Sequence, residues 1–79
     1  MTTIQIDKSI DARAMPCPGP LMNLIGAIRQ GPVGHVIEVL SSDEGSRTDI
    51  PAWVAKARHE LVQVVDEDDY VRFTVRKAR

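Results

Sequence analysis

The chain has almost no cysteine and few aromatic side chains: one cysteine and one each of tryptophan, tyrosine and phenylalanine among 79 residues. A single cysteine excludes an internal disulfide, and with it the stapled architecture of small secreted modules. Three aromatic rings leave little for base stacking. A net charge of −1, with lysine and arginine spread along the chain, lacks the basic footprint of a nucleic-acid binder. No apolar run approaches the roughly 20 residues of a membrane span, and Met1–Lys8 lacks the apolar stretch of a signal peptide. Composition therefore predicts a soluble, cytoplasmic, reduced protein. Its length predicts one domain over 1–79. A domain of this size buries about 60% of the surface its unfolded chain exposes, enough for one thin core and too little for a deep enclosed pocket. There is no repeat, low-complexity tract or linker.

The apolar residues fall into recognisable periods. Ile4, Ile6 and Ile10 alternate with polar neighbours and suggest an opening strand interrupted by Lys8. Leu21, Leu24, Ile25 and Ile28 follow the spacing of a buried helix face, predicting a helix from Pro18 to about Gln30. Gly31-Pro32 is a stop signal, a glycine able to take positive φ before a residue that cannot continue the helix. Val36, Ile37, Val39 and Leu40 around Glu38 read as a central strand. After a polar loop, Ser41 to Thr48, Asp49 is a candidate N-cap with Pro51 in the first turn of a second helix. That helix would carry Ile50, Trp53, Val54, Ala57 and Leu61 on one face. Val62 and Val64, then Val71, Phe73 and Val75, alternate with polar residues on either side of an acidic turn, Glu67-Asp68-Asp69. Tyr70, Arg72, Thr74 and Arg76 should then face outward. The order βαβαββ predicts an α/β fold: a two-layer sandwich with a mixed four-stranded sheet and both helices on one face. Crossovers that join parallel strands should be right-handed.

The one cysteine stands in Pro16-Cys17-Pro18-Gly19-Pro20, directly before the first helical run. This places Cys17 as the residue capping a helix N-terminus, with Pro18 at N1 and Pro20 at N3. There the missing N–H groups cost no helix hydrogen bond. A helix start carries about half a positive charge and several unpaired N–H groups. It lowers thiol pKa values from about 8.5 into the range of about 3.5–7.5. Gly19 would leave room over the sulfur, and the N–H groups of Gly19 and Leu21 would be free to face an anion. The competing reading is a buried cysteine acting as a small hydrophobe. No histidine is adjacent in sequence to serve as base.

At these residues the chain resembles the TusA/SirA-like sulfur-carrier family. The resemblance is carried by Ile10-Asp11-Ala12 leading into the Cys17-Pro18-Gly19-Pro20 motif and Leu21. Gly34, Ser42-Asp43, Thr48-Asp49-Ile50-Pro51 and His59-Glu60-Leu61-Val62, which look like the family's end of helix two, extend it over nearly the whole chain. The resemblance implies a sulfur relay in which Cys17 holds sulfur as a persulfide, with Pro18, Gly19 and Pro20 shaping the motif. It implies a donor such as a cysteine desulfurase or rhodanese and an acceptor such as a DsrE-like protein. Sulfur metabolism or tRNA thiolation would be the setting, with no cofactor, no metal, no direct nucleic-acid contact and a monomeric state. Asp11, Arg13, Asp43 and Asp49 match family positions. Each also has a structural reading: a local Asp11–Arg13 pair, and Asp49 as a cap. Two departures stand out. Gly19 occupies a site where family members often have an acid, and the second helix offers Trp53 and Val54 where some carry another cysteine.

The other candidates have weaker signals. His35 is expected at a strand edge and His59 on an exposed helix face, without metal-ligand spacing. Met15 and Met22 flank the motif and could form a soft apolar rim for a partner, with core packing expected for one of them. Two functions compete with the carrier: a non-catalytic interaction or regulatory module with a redox-sensing cysteine, and an RNA-binding domain. Charge and aromatic content disfavour the latter.

Overall fold

A computed structural model describes residues 5–16 and 18–79. The elements are β1 (Lys8–Ala12), α1 (Gly19–Gln30), β2 (Val36–Ser41), α2 (Ser46–Lys56), β3 (Glu60–Asp66) and β4 (Val71–Arg76). They build one four-stranded sheet in the order β1-β2-β4-β3. β1 runs parallel to β2, and β4 is antiparallel to both β2 and β3. The steps from β1 to β2 and from β2 across β4 to β3 go the same way along the sheet. Right-handed crossovers therefore place both helices on the same face. One core cluster shows the result: Leu24, Ala27 and Ile28 of α1 and Ile50 and Val54 of α2 pack with Ile37, Val39, Val71, Phe73 and Val75 of the sheet.

β2 and β4 obey the period of two, while β3 breaks it with a register shift between Leu61 and Gln63. Ile37, Val39 and Ser41 of β2 are buried while Val36, Glu38 and Leu40 are less so. On β4, Val71, Phe73 and Val75 face the helices and Arg72, Thr74 and Arg76 face away, as the alternation predicts. Thr74 is nevertheless fully buried, flanked in register by Glu38 and Gln63. Glu38 and Arg72, and Glu60 and Arg76, form ion pairs across this open face.

Several boundaries differ from the sequence reading. The first strand starts at Lys8, so Ile6 precedes it, and Ile4 lies outside the described residues. Gly31 is extended, with φ −95°. Positive φ belongs to Gly34, at 93°. What requires glycine at 31 is space: a Cβ there would lie 2.0 Å from Nδ1 of His35. The second helix begins at Ser46, three residues before Asp49, which leaves Pro51 inside it. Its start is fixed by Asp43, whose carboxylate accepts the Ser46 N–H at 3.2 Å, and by the buried Ser41–Ser46 hydroxyl pair at 3.0 Å.

This helix also ends before Leu61 and His59, because Arg58 adopts φ 63°. The Arg58 N–H donates to Ala55 O (3.2 Å) and the His59 N–H to Val54 O (3.0 Å). These two bonds form the Schellman termination that usually has glycine at the left-handed position. His59, leaving the turn, packs its ring against Trp53 at 5.6 Å between centroids. Its Nδ1 accepts the Ala78 N–H, and burial lowers its pKa, assisted by Lys77 and Arg79.

Candidate functional site

Parallel strands followed by helices bring both helix N-termini to one end of the sheet. Ala12 and Ser41 close β1 and β2 side by side in register, so the segments leading to α1 and α2 leave from adjacent points. This end, beyond the carboxyl ends of parallel strands, is where open α/β sheets place their sites.

Cys17 itself lies outside the described residues; the chain on either side of it is held by backbone hydrogen bonds. The Met15 N–H donates to Ala12 O at 3.1 Å, turning the chain back at the end of β1. The Gly19 N–H donates to Pro16 O at 2.8 Å, and the Met22 N–H to Pro18 O at 2.9 Å. The second bond makes Pro18 the N-cap, one residue later than the sequence placed it. Gly19 is then N1 and Pro20, which is buried, is N2. Neither proline costs a helix bond there. The Gly19 N–H is engaged by Pro16 and so is not free for an anion. None of the described residues accepts the Leu21 N–H. No acidic residue occupies the first turn of α1, so nothing there offsets the positive end of the helix dipole.

Gly19 has a second role that its sequence position did not reveal. A Cβ at 19 would stand 3.0 Å from Cβ and 3.5 Å from Sδ of Met15. The space above the glycine is thus filled by Met15 and is not open for a partner. Asn23, one turn on, donates its Nδ2 to Gly19 O at 2.9 Å and approaches Met15 Sδ at 3.2 Å, tying methionine, glycine and helix together. Its signal in the sequence was only its place four residues after Gly19. Met15 and Met22 are 38% and 60% exposed, so neither is a core residue and both contribute to the surface around the motif.

Of the four acidic and basic candidates, Asp11, Arg13 and Asp43 are engaged in structural roles. Asp11 and Arg13 form a two-pronged pair, Nε to Oδ1 at 2.8 Å and an η nitrogen to Oδ2 at 2.7 Å. The side-chain bond from Arg13 chiefly holds the Asp11 pKa down to about 2. The same guanidinium lies over the Tyr70 ring at 5.1 Å. Asp43 caps the start of α2, and Asp49 lies in that helix's first turn. Among the described residues, no three His, Cys, Asp or Glu side chains gather into a group able to hold a metal ion. Nor is any described helix long and apolar enough to cross a membrane.

Residues 8–77 match the family model described as Sulfurtransferase TusA. A candidate sulfur carrier protein of Archaeoglobus fulgidus is 57% identical over 70 residues, which cover 89% of this chain and 96% of that protein. The sulfur carrier protein TusA of Pseudomonas syringae is 32% identical over 74 residues, covering 94% and 88% of the two chains. The crystal structure of a SirA-like protein from Desulfitobacterium hafniense superposes with a TM-score of 0.79 at 22% identity, covering 91% of this chain and 99% of that one. The fold agrees with that structure, and the match to the family model spans nearly the whole sequence: the chain belongs to the TusA sulfurtransferase family of sulfur carrier proteins.

Proposed function

We propose that Cys17 carries sulfur as a persulfide between two partner proteins. The observation that carries this reading is that the chain's one cysteine immediately precedes Pro18, the residue whose carbonyl opens the helix-bond ladder of α1. The first turn beyond it has no acid. A thiol at such a position is favoured as thiolate. In loading, the Cys17 thiolate attacks the outer sulfur of a donor persulfide. The donor's S–S bond breaks, the donor leaves as thiolate, and a new S–S bond forms on Cys17. In discharge the acceptor's thiolate attacks the outer sulfur and Cys17 leaves as thiolate. Neither step consumes an oxidant or reductant. The chain has no second cysteine, so discharge needs a thiol from outside.

A cysteine desulfurase or rhodanese-type donor and a DsrE-like acceptor fit this chemistry. Gly19, where an acid is common in the family, bears on which acceptor is used, in sulfur metabolism or in tRNA thiolation. The test is intact mass after incubation with a desulfurase, cysteine and pyridoxal phosphate, or with a rhodanese and thiosulfate. One added sulfur is expected, removed by reductant and missing in Cys17→Ser. If no donor loads the protein, and its thiol alkylates no faster than that of a free peptide, the carrier assignment is wrong.

A further inference from the structure

We propose that the acceptor docks in the groove between the outer edge of β1 and α1. It would add there an extended, acid-bearing segment antiparallel to β1. The identity of the occupant rests on Cys17 being the carrier; the groove itself is a feature of the fold. β1 is an edge strand of the sheet. The Asp7 N–H donates to Val36 O at 2.9 Å and so faces β2. Asp7 precedes β1, however, and within the strand the register decides. The Lys77 N–H donates to His35 O, so the backbone groups of Ile37 and Val39 face β4 and those of Val36, Glu38 and Leu40 face β1. Pairing Lys8 with Ile37 then turns the N–H and C=O of Lys8 and Ile10 toward β2 and those of Ser9 and Asp11 outward. No described residue bonds them. The opposite edge, β3, is blunted by a register shift between Leu61 and Gln63 and by end carboxylates, Glu60 and Asp66, held in ion pairs. β1 has no bulge and no proline.

Beside this edge lies a groove of about 430 Å³, lined by Lys8, Ser9 and Ile10 and, from α1, by Met22, Asn23 and Gly26. The Ser9 side chain points to the other face of the sheet, where its hydroxyl bonds Glu38 at 2.8 Å. Three consecutive strand residues can line one groove only if its wall is the strand backbone. Across from it, a Cβ at Gly26 would meet no atom within 4 Å, so the far wall stands clear. An open edge with a helix alongside it is the geometry of strand-addition recognition, in which backbone bonds give affinity and alternate side chains give specificity.

Charge selects the occupant. Lys8 is the one charged residue lining the groove, and no ion pair to it forms among the described residues. A second copy pairing through the same strand would bring Asp11. That carboxylate, however, belongs to the opposite face and is held by Arg13. A foreign segment with its own acid satisfies Lys8. Position selects its direction: at one end the groove reaches Asn23, which is bonded to Gly19 in the cysteine motif. An acceptor cysteine must come to this end. With the cysteine at the N-terminal end of the segment, antiparallel pairing sets an acid opposite Lys8 after about five residues, the length of β1 at roughly 3.3 Å per residue.

The test is amide exchange measured residue by residue on the full chain. The probe peptide, Cys-Gly-Gly-Thr-Val-Thr-Val-Glu, is joined to Cys17 by a disulfide, which supplies an effective concentration in the millimolar range. The glutathione mixed disulfide is the control. In the control, the Ser9 and Asp11 amides should exchange fast and those of Lys8 and Ile10 slowly. With the peptide, Ser9 and Asp11 should slow by about tenfold or more, as expected of amides newly bonded in a strand. The effect should shrink when the peptide's Glu is replaced by Lys, and vanish in Gly26→Leu. If Gly26→Leu does not fold, a peptide N-methylated at alternate residues replaces it as the negative arm. Exchange at Ser9 and Asp11 no slower than with glutathione overturns the proposal. So does slow exchange in the unmodified protein that is relieved by dilution, which would assign the edge to a second copy. Sulfur loading of Cys17 is followed in parallel. Loading without protection refutes the groove alone, while absence of loading removes the carrier reading and the acceptor as occupant with it.

Discussion

Replacing Gly31 by alanine separates a backbone explanation from a packing one. At φ −95° and ψ 163° this residue is in extended backbone that alanine adopts freely. Judged on the backbone alone, Gly31→Ala should stabilise the protein by about 0.4–1 kcal/mol, by restricting the unfolded chain. Packing predicts the opposite sign. The new methyl would sit 2.0 Å from Nδ1, 2.9 Å from Cγ and 3.0 Å from Cε1 of His35. The backbone of the histidine is pinned, so only a turn of its ring could relieve the contact. Its N–H donates to Pro32 O at 3.1 Å, its carbonyl accepts the Lys77 N–H at 2.9 Å, and Lys77 Nζ donates to Gly31 O at 2.6 Å. Overpacking of this kind costs about 1–3 kcal/mol. In a domain of this size that lowers Tm by on the order of 5–20 °C. In a His35→Ala background the ring is gone and the stabilising effect should reappear, giving a coupling of about 1.5–4 kcal/mol between the two sites. Urea midpoints for the four proteins, with unchanged slopes, read it directly. Equal effects of Gly31→Ala in both backgrounds would refute the steric account. Sulfur loading should be unaffected throughout, since Gly31 and the cysteine motif lie at opposite ends of α1, about 18 Å apart along a 12-residue helix.

Gly19→Glu should raise the pKa of the Cys17 thiol and slow its alkylation at neutral pH several-fold, because a carboxylate in the first helical turn opposes a nearby anion; an unchanged or lowered thiol pKa in a pH series of alkylation rates would contradict this. Arg58→Gly should stabilise the fold by about 1 kcal/mol, since the left-handed conformation at φ 63° costs an L-residue about that much; a denaturation midpoint that stays put or falls would show that the arginine side chain compensates. The Asp11 carboxyl, held down to about 2 by Arg13, should titrate near that value by NMR and rise toward the ordinary 3.8 in Arg13→Ala. Because the folded pKa is the lower one, the pair's contribution to stability is complete above about pH 4 and is lost as pH falls toward 2, the reverse of a group whose pKa is raised on folding.

β2, β4 and the first helix were legible because burial there is one-sided and the apolar period follows it. β3, an edge strand with a register shift at Val62, was not, since Val62 and Val64 do not share one buried face. Val71, Phe73 and Val75 point to the helices and can be read without knowing the partner strand. Leu24 and Ile28 likewise mark the buried side of α1. The second helix was misread at both ends for local reasons. Asp49 has the chemistry of a cap, yet the capping is done upstream by Asp43 and by a buried Ser41–Ser46 hydroxyl pair that only tertiary structure brings together. Arg58 ends the helix in a conformation for which glycine would have been the sequence signal. The motif around Cys17 was legible as a motif, but its surroundings were not. The Asp11–Arg13 pair was foreseen as a local option, whereas the Met15–Gly19–Asn23 arrangement depends on a chain reversal that no spacing encodes.

The charges at the motif end bear on what stabilises a sulfur anion there. Arg13 is committed to Asp11 in a two-pronged pair, and Arg47, at the start of α2, is shared between Glu44 and Asp66. Each cation is thereby largely neutralised before any ligand arrives. The backbone at the start of α1 has no such counter-charge: its first turn is free of acids, and neither Pro18 nor Pro20 brings a competing donor or acceptor side chain. Stabilisation of a thiolate or persulfide would therefore come from fixed peptide dipoles. It would be little altered by the rotamers of surface side chains and would fall off within one helical turn. Such a short-range field suits a carrier. With Cys17 as the proposed carrier, it would hold the anion while the sulfur is there, yet would not reach a docked partner strongly enough to bias which of two thiolates leaves. The direction of transfer would then be set by the partners' own thiols and by how each is seated against the domain.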